Sequence, residues 1–325
     1  MKAAVCTTLD GPDAIKIVDM PEPVARPGEV VVRVQAAALN FLDTLITRGK
    51  YQFKPELPFS PSAEIAGEVV ALGEGVEDIA IGQRVAGYIG WGGAREYVAV
   101  RRDLLVEVPD GIPDAVAAGV SVTFGTAMYG LFDRGRLRAG ETVAVLGAAG
   151  GAGLAAVEVA ALAGAEVIAV ASSSDKLEIC RQHGAQRLLN YREHDLRQGL
   201  RDMTGGRGPD VIYDCVGGAD AEAALRSIAW LGRFLVIGFA SGAIPKIPLN
   251  LALLKNCDIA GVFWGEAAVR DPAAQRRKIA QVFDWFAAGR MMPHTSEVFP
   301  LDQIAAAIRR LDARAATGKL IIEID

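Results

Sequence analysis

The spacing of apolar and polar residues divides the chain into two regions of different character. From Met1 to about Val108, apolar runs such as EVVVRVQAAAL, IAGEVVALG, QRVAGYI and REYVAV alternate with Gly, Pro and Asp clusters. This pattern is typical of strands joined by turns. From about Gly119 to Trp264, apolar runs alternate with helix-length amphipathic segments, which is typical of βαβ units. We therefore predict a β-rich domain and an α/β domain with a parallel sheet.

The α/β region contains six apolar runs, the number that a full dinucleotide-binding sheet needs. These predicted strands are VAVLG, EVIAVAS, RLLNY, DVIYD, GRFLVIG and DIAGVFW. The predicted helices between them, several with Ser or Asp at the start and Gly at the end, are LAAVEVAALAG, SDKLEICRQHG, DLRQGLRDMTGG and ADAEAALRSIAWLG.

The C-terminal segment is predicted to belong to the β-rich domain. After Gly265, two helical stretches around QRRKIAQVFDWFAAG and LDQIAAAIRRLDAR precede a final strand, KLIIEID, which we expect to return to the first domain. A chain of 325 residues exceeds the usual size of one hydrophobic core. The predicted domains are residues 1–118 with 266–325, and residues 119–265.

Charge and hydropathy narrow the possible partners. The formal net charge of −5 comes without a basic block, so nucleic acid is not an expected partner. Apolar stretches are interrupted before about 18 residues, and the N-terminus has no signal or transit pattern. We expect a cytoplasmic protein that does not bind membranes.

Neither the cysteines nor the histidines show the spacing of a metal site. The four cysteines are far apart, so they suggest neither a disulfide framework nor a clustered zinc site. His183, His194 and His294 are expected at helix ends or in loops, and we assign them no catalytic role.

A glycine cluster marks the predicted cofactor site. The strand VAVLG leads directly into AAGGAG and a helix, with Ala148 at the first glycine position of the GxGxxG pattern. Backbone amides at a helix N-terminus can receive a pyrophosphate. The predicted ligands are the amides of Gly150, Gly151, Ala152 and Gly153.

The end of the second α/β strand indicates which nicotinamide cofactor is bound. Folds that prefer NAD usually carry Asp or Glu at this position, whereas this chain has Ser172 and Ser173, followed by Lys176. Hydroxyl groups and an ammonium can form hydrogen bonds to a 2′-phosphate without repelling it. We therefore predict NADPH, and the position of Lys176 just after the second strand favours phosphate contact over the alternative of an ordinary solvated helix residue.

Several segments resemble the zinc-free quinone oxidoreductases of the medium-chain dehydrogenase/reductase superfamily, and the resemblance covers nearly the whole chain. They are AALNFLD at 37–43, LGAAGGAG at 146–153, SSSDKLE at 172–178, LNYRE at 189–193, VIGFASG at 236–242 and GVFWG at 261–265. The resemblance implies an α/β fold in which a Rossmann doubly wound parallel sheet accompanies a GroES-like β-rich barrel domain.

The resemblance also implies roles for individual residues. Tyr191 would lie against the 2′-phosphate end of NADPH, and Asn40 and Thr126 would lie near the nicotinamide ribose and the phosphates. Lys319 would close over the cofactor. The nicotinamide end would be lined by the backbone of Phe239, Ser241, Phe263 and Trp264. A single Asn or Thr is more commonly a cap or turn residue, and Tyr191 could simply pack on the surface, so only the joint match supports these roles.

Zinc-dependent relatives carry ligands that this chain lacks. They have a cysteine in the segment that here reads Leu39, Asn40, Phe41, and a Gly-His-Glu triplet where this chain has Ser62, Ala63, Glu64. The four-cysteine lobe for a second zinc is also missing, since only IGWGGARE separates Tyr88 from Tyr97. Because Glu64 alone cannot make a zinc site, we predict no metal.

The predicted reaction is hydride delivery from NADPH to a small quinone-type acceptor, with the protein mainly orienting the reactants. Asn40 and Tyr51 are candidates to hold the acceptor oxygen, and water could supply the proton. An enone or alkenal reductase is the alternative activity, and a non-catalytic NADPH-binding protein is the alternative of another class. A zinc alcohol dehydrogenase ranks last. We expect a homodimer that pairs across the apolar edge strand DIAGVFW.

Overall fold

The computed structural model describes residues 1–324 of the chain. Its strands are β1 (Lys2–Cys6), β2 (Ile15–Asp19), β3 (Glu29–Leu39), β4 (Glu64–Leu72), β5 (Arg84–Tyr88), β6 (Tyr97–Arg101), β7 (Leu105–Glu107), β8 (Thr142–Leu146), β9 (Glu166–Ala171), β10 (Arg187–Asn190), β11 (Val211–Asp214), β12 (Arg233–Val236), β13 (Asp258–Gly261), β14 (Thr295–Pro300) and β15 (Lys319–Glu323). Its α-helices are α1 (Phe41–Ile46), α2 (Asp114–Ala118), α3 (Val120–Met128), α4 (Gly151–Leu162), α5 (Ser174–Gln182), α6 (Leu196–Asp202), α7 (Asp220–Ser227), α8 (Asn250–Lys255), α9 (Trp264–Arg270), α10 (Pro272–Ala287) and α11 (Ile304–Asp312).

The chain forms two compact units. The β-rich unit comprises Met1–Val122 and the chain from Gly265 onward, and the α/β unit comprises Thr123–Trp264. No helix within residues 1–324 has both the length and the apolar character needed to cross a bilayer.

The α/β unit contains the doubly wound parallel sheet that the sequence predicts. Its strand order is β10-β9-β8-β11-β12-β13, and every neighbouring pair is parallel. All five residues of β8 are buried, as expected for a strand in the middle of such a sheet. The chain direction across the sheet reverses between β8 and β11, and ligands of open α/β sheets bind beyond the carboxyl ends of the strands at this switch point.

The β-rich unit is organised around the long strand β3. Its main sheet has the order β14-β15-β3-β4-β5-β7, and β6 also pairs with β3. The C-terminal strand β15 pairs antiparallel with β3 and parallel with β14, so the last part of the chain belongs to this sheet. Valine and isoleucine side chains from β3, β4 and β15 pack with α11 into one core. The predicted combination of a β-rich domain with a Rossmann sheet is therefore confirmed.

Some boundaries differ from the sequence-based expectation. The apolar run DIAGVFW is not one strand, because β13 ends at Gly261 and α9 begins at Trp264. The indole of Trp264 packs against Gly125 of α3, where a Cβ would lie 2.4 Å from the ring. Tertiary packing of Trp264 thus places the end of this strand-like apolar run in a helix. The strand β14 was not predicted, since its sequence TSEVFP has little apolar alternation.

Candidate cofactor site and buried polar cluster

The glycine-rich turn lies between β8 and α4, at the switch point of the sheet. Gly147 follows β8 with φ of +72°, and Gly150 is the N-cap of α4. The first hydrogen bond of α4 runs from the Leu154 N–H to the Gly150 carbonyl and is 2.7 Å long. The N–H groups of Gly151, Ala152 and Gly153 come before this bond, in the first turn of the helix. Such amides at a helix N-terminus suit a pyrophosphate.

Close packing explains which positions of the turn need glycine. A Cβ on Gly153 would lie 2.2 Å from the Gly147 carbonyl oxygen, so α4 can approach β8 only if position 153 has no side chain. At Gly147, a Cβ would lie 2.9 Å from a methyl group of Val216 in the loop after β11. Ala148 is fully buried, and its methyl group is accommodated in the core. The alanine at position 148, where the GxGxxG pattern has glycine, is therefore compatible with the glycine-rich turn.

The carboxyl ends of β9 and β10 bring the predicted 2′-phosphate residues together. Asn190 is paired in register with Ala171, so Tyr191 and Ser172 follow on neighbouring strands. Ser173 is the N-cap of α5 and accepts a bond from the Lys176 N–H at 3.5 Å. No carboxylate occupies positions 171–174. Tyr191 is 37% exposed, so its ring is open to a ligand rather than packed in the core.

The residues predicted at the nicotinamide end lie in different environments. Phe239 and Ser241, in the loop after β12, pack against Gly217 and Gly218, in the loop after β11, and both glycines have positive φ. Thr126 is half-buried in α3. Phe263 is 42% exposed, whereas Trp264 is buried and only its backbone is suited to line a site.

In the β-rich unit, the ends of three strands form a buried polar cluster of Asn40, Glu64 and Lys319. Lys319 Nζ donates to Glu64 Oε1 at 2.6 Å, to Asn40 Oδ1 at 2.7 Å and to the Leu39 carbonyl at 3.0 Å. Asn40 Nδ2 donates to Glu64 Oε1 at 2.9 Å. Glu64 Oε2 accepts from the Val122 N–H at 2.7 Å. The two predicted residues Asn40 and Lys319 therefore contact each other directly, and both contact Glu64.

Asp43 lies beside this cluster and holds the backbone around it. Its carboxylate accepts from the N–H of Asn40 and the N–H of Ser62, each at 2.8 Å, and so caps the first turn of α1. Burial raises the pKa of Asp43 to about 6, although the two N–H donors and the charge of Lys319 oppose this shift. Asp43 is therefore a group that can change protonation state near neutral pH.

Tyr51, the other catalytic candidate, belongs to an aromatic row. Its ring meets Phe53 edge-on with centroids 5.7 Å apart, and Phe53 lies 6.2 Å from the ring of Trp91. Burial, together with the charge of Asp43, raises the pKa of Tyr51. The phenol therefore remains protonated at neutral pH and can donate a hydrogen bond. We name this row, Tyr51, Phe53 and Trp91, the aromatic row.

The positions that hold zinc in related enzymes carry other groups here. Within residues 1–324, no three His, Cys, Asp or Glu side chains are arranged to bind a metal ion. Ala63 is fully buried, and both oxygens of Glu64 are occupied by the bonds described above. His183, at the end of α5, contacts Glu158 at 2.7 Å.

Sequence reasoning missed two acidic residues of this region. From the sequence, Glu64 has no predicted role beyond being the remaining member of the zinc-ligand triplet, and Asp43 has none. A signal for each exists in the sequence: Glu64 opens the otherwise apolar stretch EIAG, and Asp43 stands three residues after Asn40, at the spacing of a capping box. A charged residue in an otherwise apolar strand is seldom buried without a partner.

Two family models match successive parts of the chain. The alcohol dehydrogenase GroES-like domain matches residues 26–110. The zinc-binding dehydrogenase family matches residues 151–287.

Individual relatives match almost the full length. The quinone oxidoreductase-like protein 2 of Rattus norvegicus is 37% identical over 324 residues, which cover 99% of this chain and 92% of that protein. The NADPH complex of the Escherichia coli quinone oxidoreductase superposes with a TM-score of 0.94 at 26% identity, covering 99% of this chain and 100% of that one. The quinone oxidoreductase of Pseudomonas syringae pv. Tomato gives a TM-score of 0.93 at 29% identity, covering 99% of both chains.

Proposed function

Because the chain belongs to the zinc-free quinone oxidoreductases of the medium-chain dehydrogenase/reductase superfamily, we propose that it reduces quinone-type acceptors with NADPH and without a metal. Membership makes the protein an oxidoreductase that uses a nicotinamide cofactor. The choice of NADPH and the choice of a quinone are the proposed parts. When bound, NADPH would supply the hydride, and the residues described above would bind and orient the reactants.

The observation that carries the proposal is the composition of the strand ends at β9 and β10. Ser172, Ser173, Lys176 and Tyr191 lie where a carboxylate would otherwise accept from the ribose of NADH. Hydroxyl groups and a cation at this position favour a 2′-phosphate. The glycine-rich turn supports the same ligand, because its free amides and the space without a Cβ at Gly153 suit a pyrophosphate.

The aromatic row favours a flat acceptor over a linear one. Rings arranged edge-on, as in Tyr51 and Phe53, offer apolar area to a planar ring, and Trp91 is 41% exposed. The protonated Tyr51 phenol and the Asn40 amide are the proposed donors to the acceptor oxygen. A linear enone or alkenal would use the same two donors with less ring contact, and this remains the second candidate activity.

The deciding experiment follows oxidation of NADPH and NADH in the presence of a chelator, with a small benzoquinone and a simple enone tested in parallel. We expect chelator-resistant turnover of the quinone with a preference for NADPH. Turnover of the enone alone would replace the quinone with the alternative substrate class. Tight NADPH binding without turnover of either acceptor would indicate a non-catalytic NADPH-binding protein. Stoichiometric zinc together with alcohol oxidation would contradict the proposal as a whole.

We also propose a homodimer in the cytoplasm. Strand β13 is at the edge of the α/β sheet and has three exposed residues of four, Ile259 among them, so it offers an edge at which a second copy could pair, in place of the bond that the Gly261 carbonyl accepts from Arg134 Nε at 3.0 Å. The exposed leucines Leu249, Leu253 and Leu254, in and beside α8, add apolar surface to this unit. Light scattering at micromolar concentration would show twice the chain mass, and a monomer would contradict the dimer. Cell fractionation tests the location.

A further inference from the structure

The partners of Asn40 fix which way its side-chain amide points. Asn40 Oδ1 faces the ammonium of Lys319 at 2.7 Å, and an ammonium can only donate. Asn40 Nδ2 faces the carboxylate of Glu64 at 2.9 Å, and a carboxylate can only accept. Rotating the amide by 180° would place donor against donor and acceptor against acceptor. The orientation is thus set by the charges of Glu64 and Lys319.

Both charged residues are themselves held in place. Lys319 uses its three N–H groups on Glu64, Asn40 and the Leu39 carbonyl, and its stem packs against Gly119. Glu64 is fully buried and accepts through both oxygens, including the bond from the Val122 N–H. Neither group can turn away from Asn40 without leaving a buried charge unsatisfied.

We infer that Glu64 and Lys319 are positioning residues that lock the Asn40 amide, so that its second Nδ2 N–H is offered to the reactants in one direction. Within residues 1–324 this second N–H donates to no other group. The inference rests on the proposed function, in which the Asn40 amide is a donor to the acceptor oxygen. It assigns Glu64 a role other than that of a vestigial metal ligand.

The rival explanation is that the ion pair only ties β4 to β15. Buried ion pairs seldom add net stability, because the cost of desolvating both charges offsets their attraction, whereas removal of one partner is strongly destabilising. A pair kept only for stability should be replaceable by two neutral side chains without loss of activity. A pair that orients Asn40 should not be.

Three variants separate the two explanations: Lys319→Met, Glu64→Gln and the double variant. Each single variant leaves an unmatched group and should lower the melting temperature. In the double variant, the new amide at position 64 can accept from the Val122 N–H and donate to Asn40 Oδ1, which turns the Asn40 amide the other way. We expect the double variant to recover most of the melting temperature while kcat stays about 100-fold below that of the parent.

A control variant shows how the loss of a different ion pair affects stability and kcat. Glu141→Gln breaks the pair between Arg233 and Glu141, in which Arg233 Nη2 lies 2.6 Å from Glu141 Oε2 in the α/β unit. We expect it to lower stability and leave kcat unchanged. If the double variant regained kcat together with its stability, the positioning role would be refuted.

A second readout does not depend on activity. Only four asparagines occur in the chain, so ¹⁵N-asparagine labelling gives four side-chain amide pairs, those of Asn40, Asn190, Asn250 and Asn256. In the parent, one Nδ2 proton of Asn40 should be shifted and protected from exchange by Glu64, and this protection should be lost in the double variant. The signals of Asn190, which is also buried, should not change.

The two readouts distinguish failure of the inference from failure of the proposed function. Unchanged Asn40 signals in the double variant, or changed signals with unchanged kcat, would overturn the inference. If the parent turned over no acceptor, the proposed function would be refuted. The amide signals would then decide by themselves whether Glu64 and Lys319 hold Asn40.

Discussion

The glycine-rich turn of the α/β unit and the buried polar cluster of the β-rich unit are built in opposite ways. The turn is made of backbone from one continuous segment, and its shape depends on the absence of side chains at Gly147 and Gly153. The cluster is made of side chains from three segments, and Asn40 and Lys319 are 279 residues apart along the chain. The turn presents backbone amides at fixed positions, whereas the cluster depends on charges that compensate each other.

This difference predicts how each site should fail. A backbone site fails by steric exclusion, because an added methyl group displaces a helix and all of its amides together. A site of buried charges fails by electrostatic imbalance, because one changed protonation state or one lost partner alters the whole set. The following experiments test this distinction, beginning with the largest expected effect.

The largest effect is expected from Gly153→Ala. The added Cβ would lie 2.2 Å from the Gly147 carbonyl oxygen, a backbone atom that cannot move away without shifting β8 or α4. We expect the free energy of unfolding of the α/β unit to fall by about 3 kcal/mol, the upper end of the usual cost of overpacking, because the clash is with backbone. NADPH binding should be lost along with it. Urea denaturation and the quenching of protein fluorescence by NADPH measure the two effects.

Gly150→Ala is the matched control for this steric argument. A Cβ on Gly150 would lie 3.5 Å from the same carbonyl oxygen, an ordinary contact distance. We expect this variant to keep the stability of the parent and to lose only affinity, since the methyl group would stand where the pyrophosphate approaches. Equal stability of Gly153→Ala and Gly150→Ala would show that close packing of α4 on β8 does not determine the turn.

The second effect concerns Asp43 and pH. Burial raises the pKa of this carboxyl to about 6 in the folded protein, whereas an unfolded aspartate titrates near about 3.9. The folded state therefore binds the proton more tightly. The contribution of this protonation to the free energy of unfolding is fully present below about pH 4 and is lost as the pH rises through about 6. Over the whole range, the shift of about two pKa units corresponds to about 3 kcal/mol.

The variant Asp43→Asn isolates this contribution. This variant lacks one of the two carboxylate oxygens that accept from backbone N–H groups, which lowers its stability by the same amount at every pH. That constant loss drops out when the free energies of unfolding at pH 5 and pH 8 are compared within one protein. Only the titration between pH 5 and the folded pKa of about 6 falls in this window, so we expect the parent to lose about 1.4 kcal/mol more stability than Asp43→Asn between these two pH values. Parallel denaturant titrations at both values measure the difference. The same pH dependence in parent and variant would place the titration on another group.

The contrast between the two sites also explains what the sequence could predict. The turn, the strand ends and the order of elements in the α/β unit follow from local patterns, such as AAGGAG after an apolar run and Ser172–Ser173 after another. The contacts of Glu64 and Lys319 are not local. They depend on β15 pairing with β3 at a particular register, Leu320 opposite Leu39, and no periodicity in KLIIE specifies that partner. The helix that begins at Trp264 escaped prediction for a similar reason, because its aromatic residue is placed by packing on Gly125.

The smallest effect should come from Lys176→Ala, which tests the cofactor side without disturbing the backbone of the turn. Removing one charged donor to a 2′-phosphate should raise the KM for NADPH about 10-fold, because a hydrogen bond to a charged group is worth about 1.5–3 kcal/mol. The KM for NADH, which has no such phosphate, should not change. Lys16→Ala, at an exposed position of β2 in the other unit, is the control and should alter neither constant.

Proportional increases in both KM values for Lys176→Ala would mean that the lysine stabilises the helix and does not bind the 2′-phosphate. The selectivity would then have to come from Ser172, Ser173 and Tyr191, which a Ser172→Asp variant would reveal by reversing the preference toward NADH.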